Sequence, residues 1–511
     1  MVKAQNKMPL VEKLKKYNEN RPAYFCIPGH RFERGVSEAW LAQEDRAFLQ
    51  YDLTEAYGLD DLHQPEGVIK EAQDLAAELF GARESFFLVN GTTGGNQAMV
   101  LTAAGPGEEI IIPRNAHKSI LMGLIMSGAR PVYVTPEWIP QWGIYGGVSS
   151  QTIECALDAH PDCRSVLLVS PNYYGITSDL AKISEVCAAH QALLLVDEAH
   201  GAHVYFSDLL PKGALQYADM CAQSLHKVTG ALTQSSILHV GSERISVSVL
   251  KQNLQMVQST SPSYLLMASL DAARFELAQN GKNMIEGTLQ LAAYIKEKIG
   301  GISGIRYMDE NIIGQNAVHE LDGTRLTITA IQLGFSGFAL KDLLMEKYSV
   351  DTELADEQNV LVILTFANIR EEVERLVYAL QEISRSNIIR DEVQQGQKVQ
   401  IKVQIVQKGQ KIQQREKSSI ISIPDMILTP REAHFHKKRS ISWQEAKGMI
   451  AGEAVIPYPP GTPLIYPGER IDEEVWNYLE NLRRQQCHFQ GISDSNLNTL
   501  EIIDESMENP V

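Results

Sequence analysis

Lys227 stands in the run Cys221-Ala-Gln-Ser-Leu-His-Lys-Val-Thr-Gly-Ala-Leu-Thr-Gln-Ser235, whose other members are mostly small, apolar or hydroxyl-bearing. An apolar setting disfavours an ammonium, so a lysine there has a lowered pKa and can act as an amine nucleophile or form a Schiff base. Ser224, His226, Thr233 and Ser235 supply the donors that an anionic group beside it would need. Alone, such a lysine would only snorkel from the end of a buried strand. Four other stretches change that reading. Asn90-Gly-Thr-Thr-Gly-Gly-Asn96 follows an apolar run and opens a helical one. Its backbone amides at Gly91, its hydroxyls at Thr92 and Thr93 and the positive helix end make a seat for phosphate. No Lys-Ser/Thr pair closes it, so it is not a nucleotide-triphosphate loop. Asp197, in Asp197-Glu-Ala-His-Gly-Ala-His203, ends a strand with a carboxylate that can hold a proton on a ring nitrogen or bind metal. His117, in Arg114-Asn-Ala-His-Lys-Ser119, opens a helix and offers an imidazole to a planar ring, and Ser170-Pro-Asn-Tyr-Tyr-Gly175 faces the same rim.

Asp197, His200 and His203 could instead ligate a metal. Their spacing is not H-E-x-x-H, no fourth ligand is evident, and Lys227 would then have no task. His203 reads as structural. A phosphate seat, a ring-stacking group, a carboxylate for a ring nitrogen and a lysine thirty residues beyond it are together the parts of a pyridoxal-phosphate site, with no metal.

The elements that must position these groups follow from periodicity. Short apolar runs at Phe86-Phe-Leu-Val89, Glu109-Ile-Ile-Ile112, Val132-Tyr-Val134, Ser165-Val-Leu-Leu-Val169 and Ala192-Leu-Leu-Leu-Val196 alternate with helical patterns. Those helices run through Met99, from His117 to Ser127, and near 179–189. Such alternation predicts an α/β fold with a mostly parallel sheet covered on both faces, whose ligands sit at the carboxyl ends of the strands. Helices are also expected at 9–20 and 66–81, and a strand-like run at Ala23-Tyr-Phe-Cys-Ile-Pro-Gly-His30. The spans are an N-terminal segment at 1–55, a large domain at 56–260, a small α/β domain at 261–385 and a C-terminal domain at 421–511. The small domain has strands Arg325-Leu-Thr-Ile-Thr-Ala-Ile331 and Val360-Leu-Val-Ile-Leu-Thr365; a Gln/Lys/Val-rich insertion or linker at 386–420 precedes the last domain. Among 511 residues, 44% hydrophobic and 21% charged, 46 bases against 63 acids leave a net charge of −17. That balance argues against nucleic-acid and anionic-membrane partners. No apolar run approaches the ~20 residues that span a bilayer, the first residues lead into no secretory segment, and the six cysteines are scattered, which points to the cytoplasm.

The chain resembles the ornithine/lysine/arginine decarboxylase family of the aspartate-aminotransferase fold. The likeness is carried by Pro28-Gly-His30, Asp52-Leu-Thr-Glu55, Gly58-Leu-Asp-Asp-Leu-His63, Phe87-Leu-Val-Asn-Gly-Thr-Thr93, Asp197-Glu-Ala-His-Gly201, Ser224-Leu-His-Lys-Val-Thr-Gly-Ala-Leu-Thr-Gln234, Ser259-Thr-Ser-Pro-Ser-Tyr264 and Tyr458-Pro-Pro-Gly461. It implies a fold-type-I pyridoxal-phosphate enzyme with a seven-stranded large domain, a small α/β domain and a C-terminal domain. By the same resemblance, Lys227 would form the Schiff base, Asp197 would pair with the pyridinium nitrogen, His117 would stack on the ring and His200 would support its phenolic side. Gly91, Thr92, Thr93, Ser170, Ser224 and His226 would bind the cofactor, while Thr260 and Ser261 would reach the phosphate of a neighbouring subunit. Glu353, in Asp351-Thr-Glu-Leu-Ala355, and His30 would meet the substrate. The likeness is to a shorter form without the wing domain of the longer members, which implies a homodimer or small oligomer with shared sites. The implied reaction is decarboxylation of arginine, or else lysine or ornithine, to the amine. His200, Lys227 or a cysteine of the partner would protonate Cα. Two alternatives stay open: an aminotransferase, for which Arg370 would be the carboxylate clamp, and a silent regulatory relative.

Overall fold

The structure, a computed structural model, describes residues 5–20, 23–32, 35–37, 39, 47–394, 423–458, 463–484 and 487–506. Seven strands make the central sheet: β1 (Glu84–Leu88), β2 (Glu109–Pro113), β3 (Arg130–Val134), β4 (Ser165–Val169), β5 (Leu193–Asp197), β6 (Met220–Gln223) and β7 (Ser236–Val240). Their spatial order is β1-β7-β6-β5-β4-β2-β3, and only β7 runs antiparallel to its neighbours. Successive residues of each strand enter opposite cores. Ile110, Ile112, Leu167 and Leu195 pack on one face, while Ile111, Val166, Leu168, Leu194 and Val196 pack on the other. That two-sided burial is why these strands read as unbroken apolar runs.

The helices supply the covering layers: α1 (Pro9–Glu19), α2 (Val68–Phe80), α3 (Gly91–Ala103), α4 (Lys118–Ser127), α5 (Ser150–Ala159), α6 (Leu180–Ala189), the single turn α7 (Leu225–Val228) and α8 (Val247–Val257). A 37-residue helix, α9 (Tyr264–Gly300), then passes from the large domain into the small one. Its first turns pack Tyr264, Met267 and Leu270 into the large-domain core, and Ala292, Ile295 and Ile299 enter the small-domain core. Between them Asp271 is buried against Arg274 at 2.7 Å and accepts the amides of Leu10 and Val11, capping α1 from a distance.

The small domain holds an antiparallel sheet in the order β8 (Arg306–Tyr307), β9 (Arg325–Thr329), β11 (Asn359–Ile363), β10 (Leu354–Ala355), backed by α10 (Gly337–Tyr348) and α11 (Arg370–Gln394). α11 continues past residue 385, so regular structure enters the segment expected to be an insertion; residues 395–420 lie outside the described residues. So do Pro459 to Thr462 of the proline-rich loop. The C-terminal part pairs β12 (Lys438–Ser442) with β15 (Thr499–Ile503) and β13 (Ile456–Tyr458) with β14 (His488–Gln490), beside α12 (Pro430–Phe435) and α13 (Glu473–Arg484). One expectation is corrected. Residues 23–30 form bends and turns, not a strand: Phe25 is 89% and Ile27 60% exposed, so this apolar run is not buried in a sheet.

Candidate active site

Five strand ends deliver the candidate residues to one edge of the sheet. β1 leads into Gly91 and α3, β2 into His117 and α4, β4 into Ser170, β5 ends on Asp197, and β6 leads through Ser224 to Lys227 on α7. Register holds them level, since Val169 pairs with Asp197 and Asp197 with Ala222, and the Ser170 amide donates to the Asp197 carbonyl at 3.1 Å.

The Lys227 amine lies 2.9 Å from His200 Nε2 and 5.2 Å from the centre of the Tyr173 ring, which itself packs 4.3 Å from the His200 ring. Burial lowers the pKa of Lys227, and the Arg325 cation adds to this, while Asp197 and Glu353 pull the other way. Burial likewise holds His200 well below the usual imidazole range, helped by the charges of Lys227 and Arg325. His200 Nε2 thus faces the amine, while its Nδ1 is buried with no hydrogen-bond partner among the described residues.

Asp197 is 3% exposed. One carboxylate oxygen accepts the Asn96 side-chain amide at 2.7 Å and the other the Ala199 amide at 3.1 Å, which leaves lone pairs for a further donor. Asn96 also donates to Ser119 Oγ at 2.9 Å, and Ser119 returns to His117 Nδ1 at 2.9 Å through its hydroxyl and 3.2 Å through its amide. The amide must donate, so His117 Nδ1 is an acceptor and the ring's proton is on Nε2. Burial lowers His117 as well, against the pull of Asp197. At the start of α3, Thr92 Oγ1 lies 2.6 Å from Ser224 Oγ and 3.1 Å from Ser236 Oγ, and the Gly91 amide donates to Gln234 O. Thr93 is exposed beside them and lines, with His117 and Ser119, a cavity of about 460 Å³ that reaches the C-terminal domain. His226 turns its Nδ1 to Ser235 O at 3.0 Å, and burial lowers its pKa. Ser170 Oγ is buried with no hydrogen-bond partner among the described residues.

Three expected residues stand apart from this group. His30 pairs with Asp52 at 3.2 Å and with Phe32 O at 2.7 Å. Thr260 and Ser261 are exposed on the loop before α9, beside His63, whose Nε2 is 2.8 Å from Ser259 O. Glu353 is exposed, yet its charge reaches both Lys227 and Arg325. Arg370 cannot be a buried carboxylate clamp: it is on the surface, 2.9 Å from Glu374 and over the Tyr294 ring. His203 gives its Nε2 to Asp322 at 2.9 Å, and no cluster of three metal-ligating residues exists among the described residues. Residue types alone did not single out Asn96, Ser119 or Arg325. Asn96 did carry a signal, since it falls four residues after Thr92 and so shares its helix face.

Two family models match: the Orn/Lys/Arg decarboxylase major domain over residues 8–372 and its C-terminal domain over 412–502. The chain belongs to the Orn/Lys/Arg decarboxylase family. It is a pyridoxal-phosphate-dependent amino-acid decarboxylase of fold type I, and the family's substrates are basic amino acids. The decarboxylase is 38% identical to an arginine decarboxylase of Halalkalibacterium halodurans over 98% of each chain, and 38% identical to one of Bacillus subtilis over 98% of this chain and 99% of the other. Among solved structures, lysine decarboxylase A from Pseudomonas aeruginosa superposes with a TM-score of 0.80 at 22% identity, over 97% of this chain and 80% of that one. The decarboxylase's site suits the cofactor on its own evidence: a buried amine, a buried carboxylate with accepting capacity to spare, and polar atoms at His200 Nδ1 and Ser170 Oγ that wait for a partner.

Proposed function

We propose that this decarboxylase acts on L-arginine, releasing carbon dioxide and agmatine. The observation that carries the site assignment is the Lys227 amine, buried against a neutral His200 at the strand edge that also bears Asp197. Arginine is preferred to lysine and ornithine because the end-to-end likeness at 38% identity is to arginine decarboxylases, whereas the lysine decarboxylase of Pseudomonas aeruginosa is 25% identical.

When bound, pyridoxal phosphate supplies the electron sink for the bond that loses carbon dioxide. Lys227 would hold its aldehyde, and Asp197, kept in place by Asn96, would keep a proton on its ring nitrogen. Gly91, Thr92, Thr93, Ser224 and His226 would grip the phosphate, with Thr260 and Ser261 contributed across a homodimer in the cytoplasm. His117 would cover the ring face. His200 Nδ1 and Ser170 Oγ, both buried without partners among the described residues, would face its polar edge. The substrate's cationic end is drawn by Glu353, with His30 as a further substrate contact. Lys227 Nζ, in contact with His200, would supply the proton that Cα gains in place of carbon dioxide.

Incubating the purified protein with arginine, lysine and ornithine in turn, and identifying the amine and the carbon dioxide released, tests this reading. Agmatine should form fastest. A keto acid in place of carbon dioxide, or faster turnover of lysine, would overturn it.

A further inference from the structure

Arg325 opens β9 of the small domain, and its side chain is completely buried against the loop that carries His200. Its Nη2 donates to the His200 carbonyl at 3.1 Å, and its Nε lies 3.5 Å from Asp322 Oδ2. Neither Nη1 nor Nε makes a hydrogen bond among the described residues, so Nε meets Asp322 as an ion pair only. Burying an unmet donor of a charged group is costly, so packing alone is a poor reason to keep a guanidinium here. The surroundings are shaped to hold it. Asp322 is fixed by His203 Nε2 at 2.9 Å, by the Thr324 amide at 2.9 Å and by the Thr324 hydroxyl at 2.7 Å. Gly175 has a φ of +82°, and a Cβ there would come within 2.7 Å of Arg325 Cγ.

We propose, on the reading that Lys227 is the Schiff-base lysine, that Arg325 is a positioning residue for the His200–Lys227 pair and that Asp322 aims it. By gripping the main chain of His200 it fixes the imidazole whose Nε2 meets the amine. Its cation also faces the space occupied by Lys227, His200, Tyr173 and Glu353, and like charge opposes protonation of the amine. His117, Asp197 and Glu353 are the other titratable groups within that field. Nη2 holds the His200 carbonyl while Nε faces the Asp322 carboxylate, so one cation links the two. Because the grip runs from the small domain to a loop of the large one, the amine is correctly set only when the two domains are docked.

The test compares Arg325→Gln, Arg325→Lys and Asp322→Asn in the full-length chain. In cofactor-free protein, acetylation of Lys227 is followed by peptide mass spectrometry from neutral to alkaline pH. R325Q should label about tenfold more slowly near neutrality, the effect of about one unit of amine pKa, and R325K should recover most of that loss. A purely structural role would lower the melting temperature and leave the labelling profile in place. A parental profile in folded R325Q overturns the proposal; should R325Q not fold, a parental profile in D322N does so. Failure of the underlying reading looks different, because the parent itself would then show no borohydride-fixed adduct on Lys227.

Discussion

At the residue scale the site is a contest between burial and charge. Burial lowers Lys227, His117 and His200 together, and the carboxylates of Asp197 and Glu353 offset it for the lysine only in part. The consequence is an amine that loses its proton, and so becomes nucleophilic, at lower pH than an exposed lysine. Lys227→Ala should remove the borohydride-fixed adduct seen by mass spectrometry and lower turnover by at least about 10²–10⁴-fold, the range for losing a positioned proton-transfer group. An adduct that persists would move the assignment to another lysine. Glu353→Gln should raise the Michaelis constant for a basic substrate about 10–100-fold, as for a lost charge-assisted hydrogen bond worth ~1.5–3 kcal/mol, while cofactor absorbance is unchanged. A constant Michaelis value discards that role. That Lys227, Asp197 and His117 share one edge of the sheet was legible because each ends or follows a recognisable apolar run. Arg325 was not: its partner His200 is 125 residues away, and a strand-opening arginine looks like any surface base until the fold closes over it. Arg370 misled for the converse reason, since nothing in its local sequence says that it faces Glu374 and solvent.

At the element scale, α3 must lie tightly on the sheet if Asn96 is to reach Asp197. Gly95 permits this, because a Cβ there would stand 2.8 Å from Leu88 Cδ1 and 3.0 Å from Ala222 Cβ. Replacing a helical glycine by alanine ordinarily gains about 1 kcal/mol, but overpacking a closed core costs about 1–3. Gly95→Ala is therefore expected to lower the melting temperature and weaken cofactor binding; a rise in both would show that α3 has slack. A second prediction concerns Glu198, which follows β5 and bonds Gln223 of β6. Its carboxylate accepts the Ala214 amide, the Tyr205 hydroxyl and the Gln223 side chain, yet burial still pushes it up to about 7. From 4.5 to about 7 the folded state then binds more protons than the unfolded one, so stability falls as pH rises through that window. Glu198→Gln lacks this penalty and should gain on the parent by up to about 3 kcal/mol between acidic and mildly alkaline buffer. Parallel denaturation curves at both pH values would refute it. Most strands and helices were legible from period. α9 was not, because its buried stripe includes Asp271, Arg274, Gly281 and Thr288, which break the apolar pattern although the helical spacing is intact. The run at 23–30 erred the other way, being apolar without being buried.

At the scale of the whole molecule, the C-terminal domain is keyed to the catalytic edge through one buried ion pair. Arg114, three residues before His117, bonds both carboxylate oxygens of Glu469 and the Leu464 carbonyl. Its guanidinium lies between the Tyr133 and Tyr466 rings, 4.9 and 4.7 Å from their centres. Glu469 is wholly buried and also accepts the Tyr466 amide. Alongside, Leu121 of α4 packs with Ala454, Ile456 and Tyr466. Breaking a buried pair by removing one partner costs about 3–5 kcal/mol, whereas replacing both with apolar side chains is often neutral. Glu469→Met should thus destabilise strongly, and the Arg114→Met/Glu469→Met double change should return most of that stability. Cofactor affinity should not return with it, because the segment leading to His117 would have lost the fork that anchors it to the second domain. Denaturant midpoints and pyridoxal-phosphate titrations on the three proteins separate the two quantities. If affinity recovers in step with stability, the C-terminal domain is a prop for the fold and has no part in setting His117.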